Sequence, residues 1–197
     1  MARENRPRIE IDRENETRTE EISKMIGEGG LGTRTTHYEI VKNGSLEKAY
    51  LSESGVALNK LVANLGVFYV KLHQYHWYVT GSSFFTLHEK FEELYNTASD
   101  NFDAFAERMI AKGEAPYSTL SEFLEHSEIA EKAYTDPLSS EEMVEDIMND
   151  YETIKRIAHE GAEAAANEND VVTEDMLIGY VEEIDLTIWM LRAYLGQ

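Results

Sequence analysis

The chain has no cysteine. That excludes a disulfide framework, a thiolate nucleophile, an iron–sulfur cluster and any zinc site built on Cys. It also lacks an apolar run approaching the roughly 20 residues that a spanning helix needs, so no membrane partner is expected. The opening MARENRPRIEIDRENE contains no apolar stretch of the kind that marks a signal peptide, which makes the cytoplasm the expected compartment. Basic residues are scarce, 18 against 38 acidic ones, for a formal charge of -20 on 197 residues. A phosphate-coating protein needs a basic surface, so cations are the expected partners of this one.

The charge is unevenly spread. Residues 1–50 hold 9 basic and 10 acidic side chains, leaving 9 against 28 and a charge of -19 on residues 51–197. The first segment also lacks sustained apolar periodicity and carries Gly27, Gly29, Gly30, Gly32 and Gly44. We read 1–50 as an N-terminal extension and 51–197 as the folded domain. Within the extension, Ile11 to Ile26 has the composition of a short polar helix, and Asn43-Gly44 is a turn signal. Its first residues include Arg3, Arg6 and Arg8, a basic tip that could touch DNA phosphates, although a solvated tail of mixed charge is the simpler reading.

From Leu58 the apolar positions Leu58, Leu61, Val62, Leu65, Phe68, Tyr69, Leu72 and Tyr75 keep three-to-four spacing, which predicts a helix over about 54–80. Thr80-Gly-Ser-Ser83 interrupts it. A second helical pattern, Phe84 to Met109, ends near Lys112 at Gly113. The connection 113–138 holds Pro116, Pro137 and a short helical piece opened by a capping box, Thr119 to Glu122. Ser139 to Glu142 opens a third long helix in the same way, with Met143, Ile147, Tyr151, Ile154 and Ala158 on one face. A fourth runs from about Thr173 through Leu177, Val181, Ile184, Ile188, Leu191 and Leu195. Four long helices joined short, long, short predict an all-α, ferritin-like four-helix bundle with a short helix in the long crossover.

Such bundles commonly hold metals through Glu-x-x-His pairs, and none of the six histidines has Glu three residues earlier. The sequence has instead His73-x-x-His76-Trp77, then His88-x-x-x-Glu92 and Asp103-x-x-x-Glu107. At roughly 100° per residue the last four fall at about 0°, 40°, 60° and 100°, one stripe of a helix. Yet Glu92 and Asp103 are about 16 Å apart along it, far beyond the ~4 Å of a shared metal pair. One chain thus offers two half-sites. A two-fold axis crossing the helix between them would set each half against the other half of a mate, giving two identical sites per dimer. A lone histidine on an apolar stripe, such as His76, is more often a hydrogen-bonded core residue than a ligand. His73 is open to either role, while His37, His126 and His159 read as structural or surface residues. The helically spaced Met and Tyr residues are core, so no haem is expected.

The segment KLHQYHWYVTGSSFFTLHEKFEELY followed by DAFAERMIAKGEAP closely resembles the Dps family, the dodecameric mini-ferritins named for DNA binding in starved cells. The likeness runs from about Leu58 to Gly196, including TLSEFLEH, Asp150-Tyr151 and IWMLRAYLG. It implies an inter-subunit ferroxidase centre of His76, His88 and Glu92 from one subunit with Asp103 and Glu107 from its mate. It further implies two iron ions per site, oxidation of Fe(II) by hydrogen peroxide, and ferric mineral stored in a homododecamer built from two-fold dimers. Glu92 departs from the family's usual Asp, and the extra methylene bears on the second metal position. Trp77 matches a site-adjacent tryptophan that packs the site or takes up an oxidising equivalent. The family's acidic iron-entry pore would fall on Glu168, Asp170, Glu174 and Asp175, with Ala166 and Val171 where relatives can have Asp. The alternative function is a nucleoid-associated structural protein that binds DNA through the extension, its metal site secondary.

Overall fold

A computed structural model describes residues 51–197. The extension 1–50, with the short helix expected at Ile11 to Ile26, the Asn-Gly turn and the arginine tip, lies outside the described residues. The described chain is all helical: α1 (Glu53–Tyr78), α2 (Phe84–Ala111), a short α3 (Leu120–His126), α4 (Ser140–Glu168) and α5 (Val171–Leu195). Each boundary agrees with the sequence pattern to within a few residues.

Local chemistry sets the ends. Ser52 caps α1 by accepting from the Gly55 N–H at 3.0 Å. Both expected capping boxes form, Thr119 with Glu122 on α3 and Ser139 with Glu142 on α4. In each the glutamate accepts backbone hydrogen bonds that hold its carboxyl below the usual range. Gly113, at φ 78°, follows the last turn of α2 as a left-handed glycine can. The stop of α4 carries no glycine; Asn169 takes the left-handed position at φ 59°, a role Asn tolerates better than most residues.

The apolar stripes meet where the spacing places them. α1 packs against α2, α3 and α4, and α4 against α5. Leu58, Leu61, Leu65, Phe68 and Leu72 of α1 are fully buried with Phe91, Phe105 and Met109 of α2 and with Ile147, Ile154, Leu177 and Ile184 of α4 and α5. Each such side chain contributes about 1.5–3 kcal/mol. The long crossover is anchored to α1 by two buried amides. Asn59 donates to the Ala115 carbonyl and accepts from the Tyr117 N–H, while Asn64 Oδ1 accepts from the backbone of Glu128 and Ile129. Glu114 lies over the first turn of α1 so closely that a Cβ at Gly55 would sit 1.6 Å from its Oε2. The acid faces the positive end of α1 there, and only glycine leaves it room.

Candidate metal centre

The five-residue turn 79–83, with Gly81 at φ 96°, reverses the chain and brings the last turn of α1 beside the first turns of α2. His76 and His88 meet across it. Their rings stack at 3.7 Å between centroids, tilted by 19°. Each Nδ1 lies 2.8 Å from the other's main-chain carbonyl, His76 Nδ1 on His88 O and His88 Nδ1 on His76 O. A carbonyl oxygen can only accept, so both Nδ1 atoms carry the proton and both Nε2 lone pairs are free. Ligating histidines are commonly fixed in this way, by a hydrogen bond from the nitrogen that does not bind. His76 is 9% exposed, and Phe84 stacks on His88 at 5.0 Å.

Glu92 follows His88 by one turn and is exposed. Asp103 and Glu107 are exposed farther along the same helix. Their helical continuity keeps the acidic pair about 16 Å from Glu92 along the axis. Among the described residues of one chain, no group of three His, Cys, Asp or Glu side chains comes together to hold a metal ion. The structure therefore brings together His76 and His88, and leaves Asp103 and Glu107 apart from them.

The other expected residues fall as follows. His73 donates from Nδ1 to the Tyr69 carbonyl at 2.9 Å and stacks on Tyr95 at 3.8 Å. Trp77 is 67% exposed, so it packs no site within its own chain and touches only the edge of His73. Of the pore candidates, Asp170 caps α5 and pairs with Arg108 at 2.6 Å and Lys112 at 2.9 Å. Burial pushes its carboxyl up, but hydrogen bonds from Thr173 and Lys112 outweigh that and hold it well below the usual range. Glu168 accepts from the Ser54 hydroxyl and lies 3.8 Å from Lys112. These two acids are engaged in a joint between helix ends, whereas Asp175 is exposed. His126 stacks flat on Tyr117 and His159 is exposed.

The known proteins that resemble the chain can be set beside this geometry. The ferritin-like domain family matches residues 56–197. The DNA protection during starvation protein of Listeria monocytogenes is 46% identical over 140 residues, 71% of this chain and 90% of that protein. The chain belongs to the Dps family. DNA protection during starvation protein 2 of Bacillus anthracis is 49% identical over 71% of this chain and 94% of its own length. The crystallographic Dps of Listeria monocytogenes superposes with a TM-score of 0.72 at 43% identity, covering 76% of this chain and 96% of that one. The family match begins after the extension, which stands outside it. No helix among the described residues of this Dps chain is long and apolar enough to cross a membrane.

Sequence reasoning missed three groups. Lys71, 7% exposed, sits among core positions of α1 and pairs with Asp146 at 2.5 Å and Asp150 at 2.6 Å. Burial pushes Asp150 up to about 6 against the pull of Lys71. Tyr75 donates to Asp146 at 2.5 Å, and burial together with that bond raises its phenol. A lysine inside an apolar stripe was the available signal. Asn64 gave no sign of its anchoring role. Tyr95, counted as core, is held above the usual phenol range by desolvation and then by the charge of Glu92, which puts it at the candidate site.

Proposed function

We propose that this Dps chain is a ferroxidase and iron-storage subunit. Fe(II) is the substrate, bound where His76, His88 and Glu92 of one subunit face Asp103 and Glu107 of its mate. Imidazole nitrogen and carboxylate oxygen suit iron. The observation that carries the reading is the reciprocal His76–His88 pair, which leaves two Nε2 lone pairs free on one face while the acids that would complete the site lie too far along the same helix. A second copy related by a two-fold axis supplies them. Two Fe(II) and one hydrogen peroxide with two protons give two Fe(III) and two waters. Both reactants of hydroxyl-radical chemistry are thereby consumed, and the ferric product is stored in a shell of twelve subunits.

The protein's groups have modest chemical tasks. The carboxylates and neutral imidazoles bind and orient the metal, the carbonyl bonds of His76 and His88 hold the imidazoles in the binding tautomer, and the electron comes from iron. Anaerobic Fe(II) titration followed by peroxide tests this, with about two Fe(II) expected per site. A chain carrying both His76→Ala and Asp103→Ala should lose the peroxide-dependent oxidation; unchanged kinetics would remove the site assignment. Light scattering should give about 270 kDa, twelve chains of 22.5 kDa; a mass near one subunit would contradict the shell.

DNA protection then follows from removal of iron and peroxide. Direct binding is opposed by the -19 charge on residues 51–197 unless twelve extensions, each with Arg3, Arg6 and Arg8, act multivalently. A gel shift at low salt comparing the full chain with one lacking residues 1–50 decides this, and no shift from either sinks the DNA-binding alternative.

A further inference from the structure

The ring of Tyr95 is fixed from several sides. It stacks on His73 at 3.8 Å and 24°, meets His76 edge-on at 5.4 Å and 89°, and meets Tyr69 edge-on at 6.0 Å. His73 is itself tied to the Tyr69 carbonyl. Three residues before Tyr95 on α2, and so its neighbour on the helix surface, stands Glu92, whose carboxylate takes a hydrogen bond from the Tyr95 hydroxyl. Tyr95 thus joins the exposed acid of the site to the two imidazoles of α1.

We propose that Tyr95 is a positioning residue of the metal site, holding the Glu92 carboxylate on the face of α2 that carries His88. The proposal rests on the ferroxidase reading above and adds to it the means by which this chain uses a glutamate. A glutamate has one more rotatable bond than an aspartate, and an exposed one loses that freedom when it binds a metal. A hydrogen bond from Tyr95 to one carboxylate oxygen removes much of the freedom beforehand and leaves the other oxygen free to ligate. An aspartate at this position would end about 1.5 Å short and would not reach both the hydroxyl and the metal. The longer acid and the tyrosine therefore work as a pair.

The test is a double-mutant cycle on the assembled full chain, with Co(II) as the probe, read by anaerobic titration calorimetry and by the visible d–d spectrum. Tyr95→Phe keeps the ring and removes only the hydroxyl. It should weaken Co(II) binding about tenfold, in the range usual for groups that orient ligands, and change the d–d band intensities. In a Glu92→Asp background the same substitution should cost less than about twofold, because the partner no longer reaches. Equal losses in both backgrounds would mean a merely structural tyrosine and would overturn the proposal, as would unchanged binding in both. A native chain that binds no Co(II) would instead bring down the ferroxidase reading on which the proposal stands.

Discussion

Two kinds of acidic residue can be compared in this protein, those with a cation and those without. Residues 51–197 hold only nine basic side chains, and eight of them form ion pairs among the described residues: Lys60, Lys71, Lys90, Arg108, Lys112, Lys155, Arg156 and Arg192. None of those pairs involves Glu92, Asp103 or Glu107. Arg108 and Lys112 lie within a turn or so of Glu107 on α2, yet both turn to Asp170. Where cations are scarce, their placement separates acids that hold helices together from acids that remain open to a metal.

The largest test of that division is complementation between subunits. His76→Ala and Asp103→Ala, made in separate chains, should each abolish peroxide-dependent iron oxidation. Unfolded together and reassembled, half of the two-fold dimers are mixed, and each mixed dimer rebuilds one of its two sites, so about a quarter of the native rate should return. No recovery would mean that the histidines and the acids do not serve one site.

The paired acids respond to pH in opposite directions. Asp150 is raised to about 6 in the folded chain by burial, so the native state binds its proton more tightly than the unfolded state does. Its contribution to stability is full below about pH 4 and is lost as the pH rises through 6, by about 3 kcal/mol. Asp150→Asn leaves Lys71 paired with Asp146 and should flatten that slope in chemical-denaturation midpoints measured from pH 4 to 7. A slope that survives would place the titration elsewhere.

Asp170 is the reverse case. Its carboxyl is held down by Thr173 and Lys112, so its contribution is present above the ordinary carboxylate value near 4 and is lost as the pH falls below it. Asp170→Asn keeps a capping side chain but leaves Lys112, 11% exposed, with weaker partners. A loss of about 2 kcal/mol at neutral pH is expected, shrinking in acid. An undiminished loss at pH 3 would deny the charge its role.

These cases show what a sequence can disclose. The helices, both capping boxes and the stripe of His88, Glu92, Asp103 and Glu107 were legible because each depends on neighbours three or four residues away. The His76–His88 pair was legible only as two candidates, since its geometry depends on a reversal at Gly81 and on main-chain carbonyls that composition does not display. Lys71, Asn64 and Asp170 act through partners about 60 to 80 residues distant, and the pattern around each is that of an ordinary helix or cap. Asp170 looked like a pore acid for that reason, until the structure paired it with Arg108 and Lys112.

The smallest effect expected is also a control on the comparison. Lys90 lies between His88 and Glu92 in sequence, and its 2.8 Å pair with Glu93 is with a side chain 64% exposed. At about 100° per residue it points some 200° from His88, away from the stripe. Exposed pairs of this kind contribute under about 0.5 kcal/mol, so Lys90→Ala should barely move the thermal midpoint. Co(II) affinity should stay unchanged as well, because removing a positive charge on the far face alters neither the Nε2 lone pairs nor the Tyr95–Glu92 bond. If the affinity instead rose several-fold, general negative charge around α2 would be governing metal binding, and the distinction between paired and open acids would lose its chemical meaning.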